Sequence, residues 1–162
     1  MAKTRLSKAT GVTYGYGQVE PNHLSAQRTG QIYAQLPATG ITVENGQFVK
    51  YDLGAGKVDL TGKGEWMLAY SEVKVYGDYE TEQDFVIADG GYPRVFKTNI
   101  GDIFTTNCTA AAVTSYTAGT STLVPNAQGI LAAGTEGDMV WQVVDVTTMP
   151  DGQAAVKVMR IK

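Results

Sequence analysis

Short β-branched and aromatic runs separated by turn-forming residues constrain this chain more than any other feature, because such strands bury their faces only by pairing with one another. Asn45-Gly46 separates Ile41-Thr42-Val43 from Phe48-Val49-Lys50-Tyr51. Both residues of that pair tolerate positive φ, so the spacing predicts a hairpin closed by a type I′ turn. From Trp66 to Tyr76, Val73 and Val75 alternate with Glu72, Lys74 and Tyr76, the pattern of a two-faced strand. Phe85-Val86-Ile87-Ala88 reads as a buried strand, after which Asp89-Gly90-Gly91 turns the chain. Arg94-Val95-Phe96-Lys97 and Asp102-Ile103-Phe104-Thr105-Thr106 flank Asn99 to Gly101 with hairpin-like spacing. Met139 to Thr147 and Gln153 to Ile161 flank Met149-Pro150-Asp151-Gly152, where proline presets φ and glycine accepts the left-handed position.

No internal repeat, heptad or useful amphipathic helix interrupts this pattern, so the expected fold is mostly β. It is a small β-barrel or sandwich-like domain with an extended N-terminal arm. The 162 residues suit one ordinary domain, and an apolar content of 43% suffices for its core. Residues 1–30 lack sustained periodicity and are assigned to the arm; residues 31–162 form the single β-rich domain, starting with Ile32-Tyr33-Ala34-Gln35-Leu36. Tyr14 and Tyr16 are flanked by Gly11, Gly15 and Gly17. They either dock on a partner or fold back on their own domain, since rigid aromatics serve both purposes. Cys108 to Thr122, low in charge and rich in Thr, Ser, Ala and Gly, is either a long surface loop or one weak strand.

Charge narrows the possible partners. The net charge is −3, yet residues 1–30 hold Lys3, Arg5, Lys8 and Arg28 against Glu20 alone, so a basic arm precedes an acidic body. An acidic body repels phosphates, and nucleic acid is not an expected partner. The residues after the basic start lack the apolar stretch of a signal peptide, and no run approaches transmembrane length, so no membrane is expected and synthesis in a cytoplasm is. The one cysteine, Cys108, excludes an intrachain disulfide and reads as a small buried thiol.

Catalytic chemistry finds little to use. A triad or zinc site needs histidine or cysteine in number, whereas His23 and Cys108 are the only ones present. Gly54-Ala55-Gly56-Lys57 is a failed phosphate loop, since Tyr51 stands at the required earlier glycine and Val58 follows the lysine; it reads as a turn between strands. Asp78, Glu80, Glu82 and Asp84 would share one face if extended, but the calcium-loop glycine and glutamate are misplaced. Neither an enzyme nor a bound metal or cofactor is expected.

Four segments carry a resemblance: Ile32 to Leu36, Glu65-Trp66-Met67-Leu68-Ala69-Tyr70-Ser71-Glu72-Val73, Tyr92-Pro93-Arg94-Val95-Phe96-Lys97-Thr98-Asn99, and Gly101-Asp102-Ile103-Phe104-Thr105-Thr106-Asn107. Together they resemble head decoration proteins of tailed bacteriophages, over about residues 31–161. The resemblance implies a structural virion protein on the capsid exterior, made in the host cytoplasm and bridging neighbouring major capsid protein subunits. It also implies a homo-oligomer or lattice contacts between copies, and no reaction. The chain itself offers Arg5, Lys8, Tyr14 and Tyr16 as arm anchors, with Arg28 near the root, because arginine and aromatics are enriched at interface hot spots. Other readings are a tail-tube, neck or adaptor subunit, or a carbohydrate module stacking sugars on Trp66, Trp141 or tyrosines.

Overall fold

The alternation in Phe48-Val49-Lys50-Tyr51 puts apolar side chains on both faces of one strand, so that strand must be covered twice. The computed structural model, which describes Val19–His23 as backbone and residues 35–71 and 85–162 in full, shows how. Two antiparallel sheets face each other. The smaller has the order β3-β2-β4-β5, from β2 (Phe48–Asp52), β3 (Lys57–Asp59), β4 (Glu65–Ala69) and β5 (Val95–Phe96). The larger comprises β6 (Ile103–Thr106), β10 (Ala154–Arg160), β9 (Trp141–Thr148), β7 (Thr122–Pro125) and β8 (Leu131–Ala133), in that order, with β1 (Val19–His23) added outside β6. No α-helix occurs among the described residues; Val113–Ser115 forms a 3₁₀ turn.

Register assigns the faces. Phe48 lies opposite Leu68, and Leu68 opposite Phe96, so these three point together into the space between the sheets. There they meet Phe104, Leu123, Leu131, Trp141, Val143, Val156 and Val158 of the larger sheet. Trp141 packs edge-on against Phe104 at 4.9 Å, and Phe48 lies 5.7 Å from Trp141 and 6.1 Å from Phe104. Such pairs add about 0.5–1.5 kcal/mol each beyond the area they bury. The alternate residues Val49, Tyr51, Met67, Ala69 and Val95 point the other way into a second core, roofed by Leu36, Ala38, Ile41, Val43 and Ile87. This roof is irregular chain, held by single bridges of Ala38 to Val58 and of Val43 to Ile87.

The expected mostly-β, sandwich-like domain is therefore the observed one, and the hairpin of β9 and β10 closes at Gly152 (φ 88°) as its turn residues predict. The expected hairpin at Asn45-Gly46 is corrected. Only Gly46 has positive φ (90°), so the turn is of type II character, and Val43 pairs with Ile87 while Phe48 pairs with Leu68. Asn45 acts through its side chain, accepting from the Ser71 N–H (2.7 Å) and donating to the Ser71 carbonyl (2.8 Å). The turn thus extends the ladder of β4 instead of joining its own flanks.

Three other expectations change. Asn99 to Gly101 does turn the chain, with Asp102 capping the Asn99 N–H at 2.8 Å, but β5 and β6 belong to different sheets. Phe85 to Ala88 contributes only the bridge at Ile87, because it roofs the smaller sheet instead of joining it. Within the run from Trp66, Met67, Leu68 and Ala69 are all buried, since both faces of β4 are covered. Its remainder, with Val73, Val75 and the carboxylates Asp78, Glu80, Glu82 and Asp84, lies outside the described residues, as do Ile32 to Ala34. The stretch from Cys108 is a loop with a 3₁₀ turn until Thr122 opens β7, and its Tyr116 packs into the core between the sheets.

Gly129, between β7 and β8, fastens one sheet to the other. Its carbonyl accepts from the Phe48 N–H at 2.7 Å, its φ is +72°, and an added Cβ would stand 1.9 Å from the Phe48 carbonyl oxygen. Gly152 shares the left-handed backbone but has open space around it. Gly129→Ala is expected to lower unfolding free energy by more than about 2 kcal/mol, and Gly152→Ala by about 1–2 kcal/mol, as read by urea titration. Equal losses at both positions would contradict the clamp.

Candidate interaction surface

The residues expected to anchor the arm, Arg5, Lys8, Tyr14, Tyr16 and Arg28, lie outside the described residues. What is described of the first thirty residues is β1, which pairs antiparallel with β6: Val19 opposite Thr106, Glu20 opposite Thr105, His23 opposite Ile103. The N-terminal segment therefore meets the body by strand addition to a sheet edge, a mode in which main-chain hydrogen bonds carry the affinity.

The same ladder separates the two residues from which a nucleophile pair could have been built. His23 sits opposite Ile103, at the far end of β6 from Cys108. At about 3.3 Å of rise per residue the backbone positions are far beyond hydrogen-bond reach. Cys108 is buried, as expected of a structural thiol. Among the described residues no group of three or more His, Cys, Asp or Glu converges where a metal could be held. Gly54 to Lys57 forms the turn from β2 into β3, with Gly56 at φ 65° and Asp52 accepting from the Ala55 N–H at 2.9 Å. Lys57 opens a strand there, not a helix.

The tryptophans divide. Trp141 is fully buried and offers no face to solvent. Trp66 packs against the core between the sheets, and the Lys50 ammonium lies 4.4 Å from its ring centroid. Large apolar side chains reach solvent elsewhere: Leu53 in the β2–β3 turn, Tyr92, Ile100 at 73% exposure in the crossing from β5 to β6, Val144, Val146 and Ile161. Backbone bonds from the Gly101 N–H to the Arg160 carbonyl and from the Arg160 N–H to the Asp102 carbonyl bring Ile100 and Ile161 to one end of the larger sheet. The Arg160 guanidinium braces that end by donating to the Thr98 carbonyl and, at 3.0 Å, to its hydroxyl. Burial pulls this guanidinium below its ordinary pKa, against the opposing charges of Glu65 and Asp102. On β9 the pairing steps from Val143–Val158 to Asp145–Lys157, leaving Val144 as the extra residue of a bulge and turning it outward. Strand patterning did not single out Ile100; its legible signal is an isoleucine inside an Asn-Ile-Gly-Asp turn, where polar residues are usual.

Comparison with protein-family models, curated proteins and solved structures returned no match.

The loop beside the Leu53 turn is set by Asp59, which is 4% exposed. One carboxylate oxygen accepts from the Gly62 N–H (2.6 Å) and the Thr61 N–H (3.1 Å), while the other meets the Lys57 ammonium at 2.7 Å. Burial opposes ionisation of Asp59, but the Lys57 bond and the two amides outweigh it and hold the carboxyl below its usual range. Its contribution to stability is thus fully present above the unfolded-state pKa and is lost as pH falls through the lower folded value. Asp59→Asn is expected to cost about 1–3 kcal/mol near neutral pH. The gap from wild type should close as pH falls past about 3.9 and below. Unfolding curves across that range check it, and a pH-independent gap would contradict the ionic account.

Proposed function

We propose that this chain is a structural protein of a bacteriophage head that binds the capsid exterior and stabilises contacts between major capsid protein subunits, without catalysing a reaction. The observation that carries the reading is the four-segment resemblance; in the fold three of those segments fall on β4, β5 and β6, the last of which receives β1. A protein that binds only the assembled, expanded shell shifts the shell's equilibrium toward that state, and repetition over a lattice multiplies modest contacts. The strand-paired N-terminal segment and the exposed Ile100–Ile161 end are the surfaces this body offers for such contacts.

Deleting residues 1–30 would remove β1 and uncover β6, confusing loss of binding with loss of fold. The cleaner variant replaces Arg5, Lys8, Tyr14 and Tyr16 with alanine, all ahead of β1. Sedimentation of the protein with expanded and unexpanded shells should show uptake on expanded shells only. The quadruple variant should bind at least about tenfold more weakly, a loss of roughly 1.4 kcal/mol or more, with an unchanged melting temperature. Equal uptake by variant and wild type would remove the arm from the interface; absence of uptake on either shell would overturn the assignment.

A further inference from the structure

We propose that the β6 edge also accepts the Val19–His23 strand of a second copy of this chain, so that neighbouring copies exchange β1 and share a sheet. This inference does not depend on the capsid reading.

The acceptor side is obligatory. Phe104, Thr105 and Thr106 have no exposed surface, and the outer rim of β6 would present unpaired backbone groups if nothing lay against it. Two other sheet edges are covered by chain that is itself anchored in the body. On β3, Val58 donates to Pro37 and accepts from Thr39, both at 2.9 Å. On β8, Leu131 donates to Cys108 at 3.1 Å and accepts from Ala110 at 2.8 Å. The β6 edge alone among these is closed by a strand from the distant end of the chain.

The donor side is replaceable. Pro21 lies in the middle of β1 and has no N–H to give to a ladder. The register also shifts between Glu20 and His23, whereas β6 pairs with β10 through four consecutive positions. Pro21 and the register shift limit the main-chain bonds of β1 to β6, and those bonds are the same whether the strand arrives from its own chain or from a neighbour's. Between β1 and the anchored roof lie residues 24–34, eleven in number. At about 3.3–3.6 Å per residue they reach at most roughly 40 Å, more than the width of a small domain. Equal main-chain pairing and a sufficient number of intervening residues are conditions under which a terminal element exchanges between protomers, the balance being set by concentration.

Crosslinking in the full-length chain tests this directly. In a Cys108→Ala background, one copy carries Glu20→Cys and the other Thr105→Cys, which are register partners. The two are mixed in denaturant, refolded together at high concentration, oxidised and weighed intact. Exchange predicts the Glu20→Cys–Thr105→Cys heterodimer as the dominant covalent product, and the pair Val19→Cys with Thr106→Cys should repeat it if Thr105→Cys fails to fold. A double variant Glu20→Cys/Thr105→Cys that closes within one chain, while the mixtures give no heterodimer, would overturn the proposal. So would homodimers of Glu20→Cys alone, or no crosslink in either pair.

Discussion

Phe48 is the joint on which the rest of the architecture depends. Its N–H bonds the Gly129 carbonyl of the larger sheet, its ring packs on Phe104 and Trp141 of that sheet, and its strand partner is Leu68 of the smaller one. One residue thereby ties the two sheets together by a main-chain bond, by ring packing and by strand pairing. Once Phe48 faces inward, the pleat sends Val49 and Tyr51 outward, and Met67, Ala69 and Val95 follow by register. The second core and its irregular roof are consequences of the first. Among the described residues two buried side-chain polar atoms lack a hydrogen-bond partner, the Trp141 Nε1 in the core and the Asn107 Oδ1.

That dependence explains what could be read from the sequence. The hairpin of β9 and β10 was legible because both strands are long, β-branched and separated by proline and glycine in positions that force a turn. The failed phosphate loop was legible as a turn for a related reason, since glycines between two short strands need no other explanation. The strands β7 and β8 carried no comparable signal. Thr122–Pro125 and Leu131–Ala133 are too short for alternation to show, and Pro125 counts against a strand unless its missing N–H lies where no bond is needed. Asn45-Gly46 announced a turn correctly, but local rules cannot see that Ser71 waits to bond the Asn45 side chain. The roof over the second core was invisible for the same reason, because single bridges and burial, not periodicity, hold it.

The candidate surface was legible to a different degree. Composition singled out the basic, tyrosine-bearing N-terminal segment, while Ile100 and Ile161 became a pair only when the backbone bonds of Gly101, Asp102 and Arg160 brought them to the same end. Turn residues are chosen for φ and for local hydrogen bonds, so an isoleucine in a turn carries information that strand-based patterning discards.

The way the fold covers its edges decides which surfaces remain for binding. Irregular chain closes β3 and β8, and both faces of the smaller sheet are buried, so a partner cannot extend the body at those edges by simple strand addition. Side-chain contact is offered at turns and sheet ends, and the β6 edge is covered by a strand that is short and proline-interrupted. Contacts of the first kind are modest and depend on repetition; contacts of the second kind are directional, since a strand fits only in one register and one sense. A body with both can be placed by the strand and held by many small contacts.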